Sequence, residues 1–433
     1  MSGSLRWMLV LCVAAIIRSV VLGPLIPPYQ SSDEPWHLDY ARAIASGTIP
    51  VLGRTRLDPG IADDDVAVTR SRGLALYGID NPPMSREATQ PPLGYVLPAA
   101  GWLTSTTPRH ALRIFRALDA LIGAALAAAS YWAGRVLFPE AKWAGVLAGL
   151  TAVLLPAVGI VASTANNDAL ATLLGVIVVG AAGALARRGG PLLRWMALGV
   201  GVGLAALTKS TGLVLMAPVV LAALISPAVR PQLRWTRAIV TAVPALALSG
   251  LWFWHNVAVY GDLAGTRPFS AFGAVPGEGI GGWRLLLAGR PTLPRAHRFW
   301  PEVFRTSVGV LRWSDLHLPP ALYLIALVAG LAGLVSVGMW WRRSEAAGGT
   351  SSGDDRVLLV VGATLAAQVL GLVWFAMTVD YQPQGRYLLV GILASAAAVG
   401  AAVGPRRMAA AGLCLTALLA SAVVTAATTF GLP

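Results

Sequence analysis

Apolar stretches of about 18 residues or more recur from one end of this chain to the other, each long enough to cross a hydrocarbon core of about 30 Å. Nothing else in the sequence limits the fold so strongly. Only 12% of the 433 residues are charged and 56% are hydrophobic, far from the roughly 25% charged composition of soluble domains. The expectation is an all-α polytopic membrane protein. Spans are read near 5–27, 110–136, 143–163, 168–186, 195–209, 211–227, 238–256, 319–341, 357–378, 387–404 and 408–430. The first has no strongly basic start and no small-residue cleavage site, so it reads as a retained span rather than a signal peptide.

The segment Pro91 to Thr106 is apolar but short and broken by proline, and it reads as a re-entrant or interfacial helix. Positive charge supports that choice. With a cytoplasmic N-terminus the inner ends collect Arg135 and Lys142, Arg187 and Arg188, Arg194, Arg230 to Arg237, Arg342 and Arg343, then Arg406 and Arg407. A span at 91–106 would push most of these outside. The chain then reads as one transmembrane domain, 1–433, of about eleven helices with two long extracytoplasmic loops at 28–109 and 257–318. The cytoplasmic loop 344–356 is Gly/Ser-rich and flexible in this reading.

A net charge of +13 in a soluble protein would suggest nucleic acid; here it orients helices and meets anionic lipid headgroups, so membrane lipids are the expected partner and nucleic acid is not. Cys12 and Cys414 sit in spans far apart and indicate neither a disulfide framework nor a zinc site. The first outer loop predicts a short helix from about Pro35 to Ser46, with Trp36, Tyr40 and Ile44 at helical spacing. In the second loop a glycine-rich stretch, Gly273 to Gly282, precedes an amphipathic stretch, 297–313. Phe299, Trp300, Val303, Phe304 and Leu311 form its apolar stripe, flanked by Arg298, Arg305 and Arg312, which reads as a helix lying on the membrane.

On this topology the polar motifs all emerge on the extracytoplasmic face. Asp33-Glu34 precedes Pro35 and could serve as helix punctuation, yet one acid would do that, and His37 shares a helix face with Asp33. A carboxylate there suits a general base acting on a hydroxyl. Lys209, one of only two lysines, interrupts two apolar stretches; it could snorkel to the headgroups or supply a point charge for a phosphate. Arg386, in Gln384-Gly385-Arg386-Tyr387, could anchor a helix at the interface or hold a phosphate through two parallel hydrogen bonds. Asn166-Asn167-Asp168 reads as a helix cap that leaves room for ligand contact. His255-Asn256 follows an aromatic belt, and Asp63-Asp64-Asp65 reads as a solvated loop, with a divalent cation as the functional alternative.

Taken in order, these pieces resemble the GT-C superfamily of integral-membrane glycosyltransferases, in particular the bacterial protein mannosyltransferases and aminoarabinose transferases. The matching motifs are Asp33-Glu34-Pro35-Trp36-His37, Gln90-Pro91-Pro92-Leu93-Gly94-Tyr95, Asn167-Asp168, Thr208-Lys209 and Gln384-Gly385-Arg386-Tyr387. The resemblance implies a GT-C-like helix bundle and a polyprenyl-phosphate-linked sugar donor. It also implies inverting transfer to a glycan, lipid or protein acceptor on the extracytoplasmic face. Asp33 matches the acid that activates the acceptor, with Glu34 assisting or binding sugar. Lys209 and Arg386 match the cations that hold the departing phosphate. His37, Gln90, Asn167, Asp168, His255, Asn256, Gln384 and Tyr387 complete the expected substrate-binding set. Gln90 departs from relatives that carry a basic or acidic residue before the two prolines. The competing readings are a lipid or small-solute transporter or flippase, and a noncatalytic scaffold for envelope polymers. Few charges at mid-span and no repeat pair favour the enzyme.

Overall fold

The computed structural model describes residues 3–74, 84–105, 107–227, 231–266, 296–312, 314–346 and 352–430. Every stretch read as a span is helical over most of its length. Among the described residues seven helices are long and apolar enough to cross a membrane, one of them α1 (Gly3–Leu25). Its outward residues Val10, Val13, Ile17 and Val20 are exposed, while Leu11, Ala15, Arg18 and Leu22 are buried. A stripe of buried small and polar residues behind an exposed apolar face is what a helix packed against protein on one side and lipid on the other requires.

The centre of the bundle is built by α5 (Pro108–Leu137), α6 (Lys142–Leu154), α8 (Asp168–Arg188) and α9 (Leu192–Thr208), together with α10 (Met216–Ile225) and α11 (Pro231–Tyr260). Thr107 caps α5 by accepting a hydrogen bond from the His110 amide at 3.2 Å, with Pro108 at the first helical position. Close approach of α9 and α11 depends on Gly199, where a Cβ would overlap the Thr241 carbonyl.

The stretch read as one span at 143–163 is two helices. Leu155 is extended, and α7 (Pro156–Val161) restarts at a proline that cannot continue α6. Arg18 of α1 answers the break by donating to the freed carbonyls of Ala152 and Val153, at 2.9 and 3.3 Å. A buried arginine inside a span thus has a structural partner.

The short elements gather at one end of the bundle. They are α2 (Glu34–Ala45), α3 (Pro59–Ser71), a 3-10 turn at Arg86–Thr89, α4 (Leu93–Leu103) and α12 (Ala296–Val308). Trp36 and Tyr40 of α2 are buried against Tyr95 and Phe115, and the Tyr40 and Tyr95 rings stack at 4.1 Å. The α4 helix has 11 residues, about 16 Å at 1.5 Å per residue, too short to cross.

In the second long loop α12 stops earlier than its apolar stripe suggests. Gly309 (φ 155°) ends it, and Leu311 lies in strand β1 (Val310–Leu311), paired antiparallel with β2 (Leu316–His317). Phe299 and Val303 are buried against Leu372, Ala376 and Leu388, while Trp300 stays half exposed. The stretch Gly273 to Gly282 lies outside the described residues.

The remaining helices are α13 (Pro320–Ala346), α14 (Ser352–Thr378), α15 (Leu389–Ala402) and α16 (Pro405–Phe430). At the end of the bundle away from the short elements, Arg187 closing α8 pairs with Asp354 opening α14.

Candidate active site

Four charged groups from segments far apart in sequence meet at the end that carries the short helices. Asp33 stands just before α2 in a left-handed conformation (φ 64°, ψ 5°), a region an aspartate tolerates at a cost of about 1 kcal/mol. It occupies the N-cap position of α2, although its side chain makes no capping hydrogen bond. Its Oδ2 accepts a hydrogen bond from Arg386 at 2.9 Å. Arg386 also approaches Asp168 Oδ2 at 3.4 Å, and Lys209 Nζ pairs with Asp168 Oδ1. The aromatic face of Tyr387 lies under both cations, 4.7 Å from Lys209 Nζ and 5.6 Å from the Arg386 guanidinium carbon.

Local structure places each of these side chains. Asn166 caps α8, its Oδ1 accepting from the amides of Asp168 and Ala169 at 2.8 and 3.2 Å, which leaves the Asp168 carboxylate for the cations. Asn167 Nδ2 donates to the Thr208 carbonyl at 3.3 Å and ties the start of α8 to the end of α9, where Lys209 follows in extended backbone. Arg386 rides on the 3-10 turn Gly385–Leu388 that leads into α15. Gly385 is wedged against α12. Its amide donates to Thr306 Oγ1 at 2.7 Å, and a Cβ there would overlap Ser307 N and Val303 O.

These groups line a cavity of about 440 Å³ with two unlike ends. The polar end holds Asp33, His37, Gln90, Asp168, Lys209, Arg386 and Tyr387; the other is walled by residues such as Leu213, Val214, Phe253, Leu372 and Trp374. Trp374 is 48% exposed, so the apolar lining includes a residue at the surface of the helices. His37 is buried, with Nδ1 2.9 Å from the Tyr95 hydroxyl, and burial pushes its pKa down to about 3, leaving the imidazole neutral. Gln90 Oε1 has no partner among the described residues, and its backbone carbonyl accepts from the Tyr40 hydroxyl at 2.8 Å.

Glu87 also lines the polar end, and sequence reasoning missed it. Burial, reinforced by the charge of Asp33, raises its carboxyl above the usual carboxylate range. The signal was slight: one acid three residues before Gln90, in a loop already rich in polar residues. Asp33, His37 and Glu87 bring one potential ligand atom each within 4.8 Å of one another, a geometry that could hold a cation. The run Asp63 to Asp65 forms no such group among the described residues. Asp64 accepts from Arg109 at 2.6 Å and Tyr29 at 2.8 Å, and Asp65 accepts from the Thr69 hydroxyl at 3.1 Å.

Other expected site residues stand elsewhere. Glu34 is fully buried and turned away from the cavity. Its two oxygens accept from Arg116 Nε (2.8 Å) and Nη2 (2.7 Å) and from the amides of Tyr29 (2.8 Å) and Ala165 (2.9 Å). Every lone pair it can offer is occupied, so the geometry gives it a positioning role instead of a chemical one. Asn167 holds backbone, as described. His255 stacks on Trp252 at 4.7 Å, and Asn256 donates to the Leu263 carbonyl at 3.2 Å; neither lines the cavity. Gln384 lines a smaller cavity of about 40 Å³ that shares Arg386 with the large one.

A bundle of this architecture, with a polar pocket at the end that carries the short helices, has a GT-C-like membrane fold. ArnT from Cupriavidus metallidurans, solved bound to undecaprenyl phosphate, aligns over 95% of this chain with a TM-score of 0.55 and 15% identity. The archaeal oligosaccharyltransferase AglB from Archaeoglobus fulgidus, solved with an inhibitory peptide and a dolichol-phosphate, aligns over 99% with a TM-score of 0.51 and 13% identity. The chain spans 62% of the length of the first and 56% of the second. No curated protein sequence matches it. Residues 80–394 match the family described as "Predicted membrane protein (DUF2142)", and the chain belongs to that family. The matched region takes in Glu87, Asp168, Lys209 and Arg386 and begins after Asp33.

Proposed function

We propose that this protein is an inverting glycosyltransferase that moves a sugar from a polyprenyl-phosphate donor to an acceptor hydroxyl at the extracytoplasmic face of the membrane. The carrying observation is that Asp33, Asp168, Lys209 and Arg386 converge on the wall of a cavity whose remaining lining is largely apolar and includes the half-exposed Trp374. A lipid phosphate needs both: cations for its head and a greasy channel for its tail. The solved relatives hold undecaprenyl phosphate and dolichol-phosphate, which accords with that reading.

In this mechanism Asp33 takes the proton from the acceptor hydroxyl as its oxygen bonds to the anomeric carbon. The bond from that carbon to the phosphate oxygen breaks, and its electron pair stays on the phosphate. Lys209 and Arg386 stabilise the charge that develops there. A single displacement inverts the anomeric centre. Asp168 holds the two cations in place until phosphate arrives. Glu34 acts through Arg116 to fix the turn that presents Asp33.

The orientation follows the same reading. The site collects the ends of α1 and α9 and the starts of α8 and α15, opposite the arginine-rich ends, which supports an extracytoplasmic site and a cytoplasmic N-terminus.

The test uses purified protein in nanodiscs with undecaprenyl-phosphate-linked radiolabelled mannose or glucose and membrane extract as acceptor. Wild type should transfer label; Asp33→Asn should bind undecaprenyl phosphate as wild type does and transfer none. Transfer by Asp33→Asn at the wild-type rate would sink the base assignment. Tight binding of the lipid phosphate with no transfer by any form would favour a flippase.

A further inference from the structure

At the end of the bundle opposite the cavity, the second turn of α11 carries a buried cation that no carboxylate answers. Arg237 is 8% exposed, and its one hydrogen bond among the described residues runs from Nη1 to Ser226 Oγ at 3.3 Å. Ser226 donates in turn to the Leu185 carbonyl at 2.9 Å, and the guanidinium carbon lies 5.5 Å from the Trp195 ring. These contacts hold the guanidinium among the ends of α8 and α10 and the start of α9. Two acids at this end are engaged elsewhere: Asp354 pairs with Arg187, and Asp355 accepts from Trp341 Nε1 at 2.9 Å. The stretch Ala228-Val229-Arg230, which precedes α11, contains no acid. A buried charge calls for a partner, and arginine does not escape the need by losing its proton. We propose that Arg237 binds the phosphate of an anionic glycerophospholipid in the leaflet at this end of the bundle.

The surrounding helices favour a lipid over a soluble anion. α9 and α11 run side by side in the same direction, Gly199 against Thr241 and Pro244, Gly203 against Ala245 and Leu248. Both start at this end, neither has an acid in its first turn, and α9 has no side-chain cap. Their free amides add positive potential beside the guanidinium. From the same end each helix presents an exposed apolar stripe, Leu193, Met196 and Val200 on α9 and Trp235, Ile239, Val243 and Leu246 on α11. Steps of three and four residues keep each stripe on one helix face.

A lipid whose acyl chains lie along these stripes brings its phosphate to the helix starts. There Arg234 is exposed as well, and Trp235 offers a ring at headgroup level. Two phosphate oxygens match the fork of a guanidinium. A zwitterionic headgroup carries its own ammonium to the phosphate; an anionic one leaves that charge for Arg237. The binding is independent of the transfer reading, because Trp195 and Lys209 are separated by about 21 Å of rise along α9.

The experiment titrates the full chain, purified in neutral detergent, with dioleoylphosphatidylglycerol and counts bound lipid by native mass spectrometry. One phosphatidylglycerol per chain should bind at least about tenfold more tightly than dioleoylphosphatidylcholine. Arg237→Gln should weaken it by about tenfold to a hundredfold, the loss of one charge-assisted contact. Arg237→Lys, which keeps the charge and loses the fork, should weaken it less. Ser226→Ala, which frees the guanidinium from its hydroxyl partner, is the second variant and should weaken it severalfold. In phosphatidylcholine nanodiscs Arg237→Gln should melt no lower than wild type, since it removes a charge that nothing there matches. Arg406→Gln, an exposed arginine at the same end, and Lys209→Met, in the cavity, should both keep the lipid. Equal binding of the two lipids by wild type overturns the proposal, as does an equal loss in Arg406→Gln, which would reduce the effect to surface charge. Loss in Lys209→Met but not in Arg237→Gln would put the headgroup in the cavity and overturn it too. Displacement of the lipid by inorganic phosphate would assign Arg237 to a soluble anion instead.

Discussion

Replacing Glu34 by glutamine separates a structural acid from a chemical one. Glu34 and Arg116 form a buried two-bond pair at 2.8 and 2.7 Å, and the Arg116 side chain is 14% exposed. Arg116 also donates to the carbonyls of Gly23 (3.1 Å), Ile26 (2.8 Å) and Pro27 (3.0 Å), closing the end of α1. Removing one partner of a buried pair costs about 3–5 kcal/mol, because the other charge is left unmatched. The three carbonyls and the slight exposure of Arg116 soften this, while the glutamine NH2 would face a backbone amide that also donates. The net expectation is about 2–4 kcal/mol. In nanodiscs the thermal midpoint of Glu34→Gln should fall by several degrees, followed by tryptophan fluorescence. A cycle with Arg116→Met should return a coupling of about 1–3 kcal/mol. Transfer should fall as well, so stability is the deciding readout. A variant with wild-type stability that has lost transfer would refute the structural account and restore Glu34 to the chemistry.

Lys209→Met and Arg386→Met should each remove a charge-assisted contact of about 1.5–3 kcal/mol, weakening undecaprenyl phosphate binding by roughly tenfold to more than a hundredfold in a competition assay. Gly385→Ala would drive a methyl group into the backbone of α12, with a cost of about 1–3 kcal/mol and displacement of Arg386. Lipid-phosphate affinity should drop with it, whereas Gly338→Ala, which meets open space, should change neither property. Asp65, on α3, supplies a pH test. Burial first, then the charges of Glu34 and Asp64, push its carboxyl up to about 7 against the opposing hydrogen bond from Thr69. The folded chain holds that proton more tightly than the unfolded one, so the stabilisation is full below about pH 4 and is lost as pH rises through about 7. Asp65→Asn should therefore be more stable than wild type at pH 8, by up to about 4 kcal/mol, with the gap closing near pH 4. A gap that persists at low pH in thermal melts would contradict this.

Charge in an apolar setting is conspicuous, and this made Asp33, Asp168, Lys209 and Arg386 legible in the sequence. Each interrupts or borders a long hydrophobic run, and alternation of spans put all four at the same end. The spans were legible for the same reason, since their length and composition carry the signal without tertiary help. What the sequence concealed is direction. Asp33 and Glu34 are adjacent, yet successive residues at a helix start point about 100° apart, and one faces the cavity while the other faces Arg116, 82 residues away. His255 and Asn256 emerge at the expected end of α11, but His255 turns to stack on Trp252 and Asn256 to meet the Leu263 carbonyl. Glu87 was hidden by the opposite circumstance, because an acid in a polar loop is unremarked until folding sets it beside Asp33 and His37. In a membrane protein of this kind, the residues found by sequence are those out of keeping with the lipid. The residues that tune them come from loops, where polarity is ordinary and only the fold distinguishes a ligand from a solvated side chain.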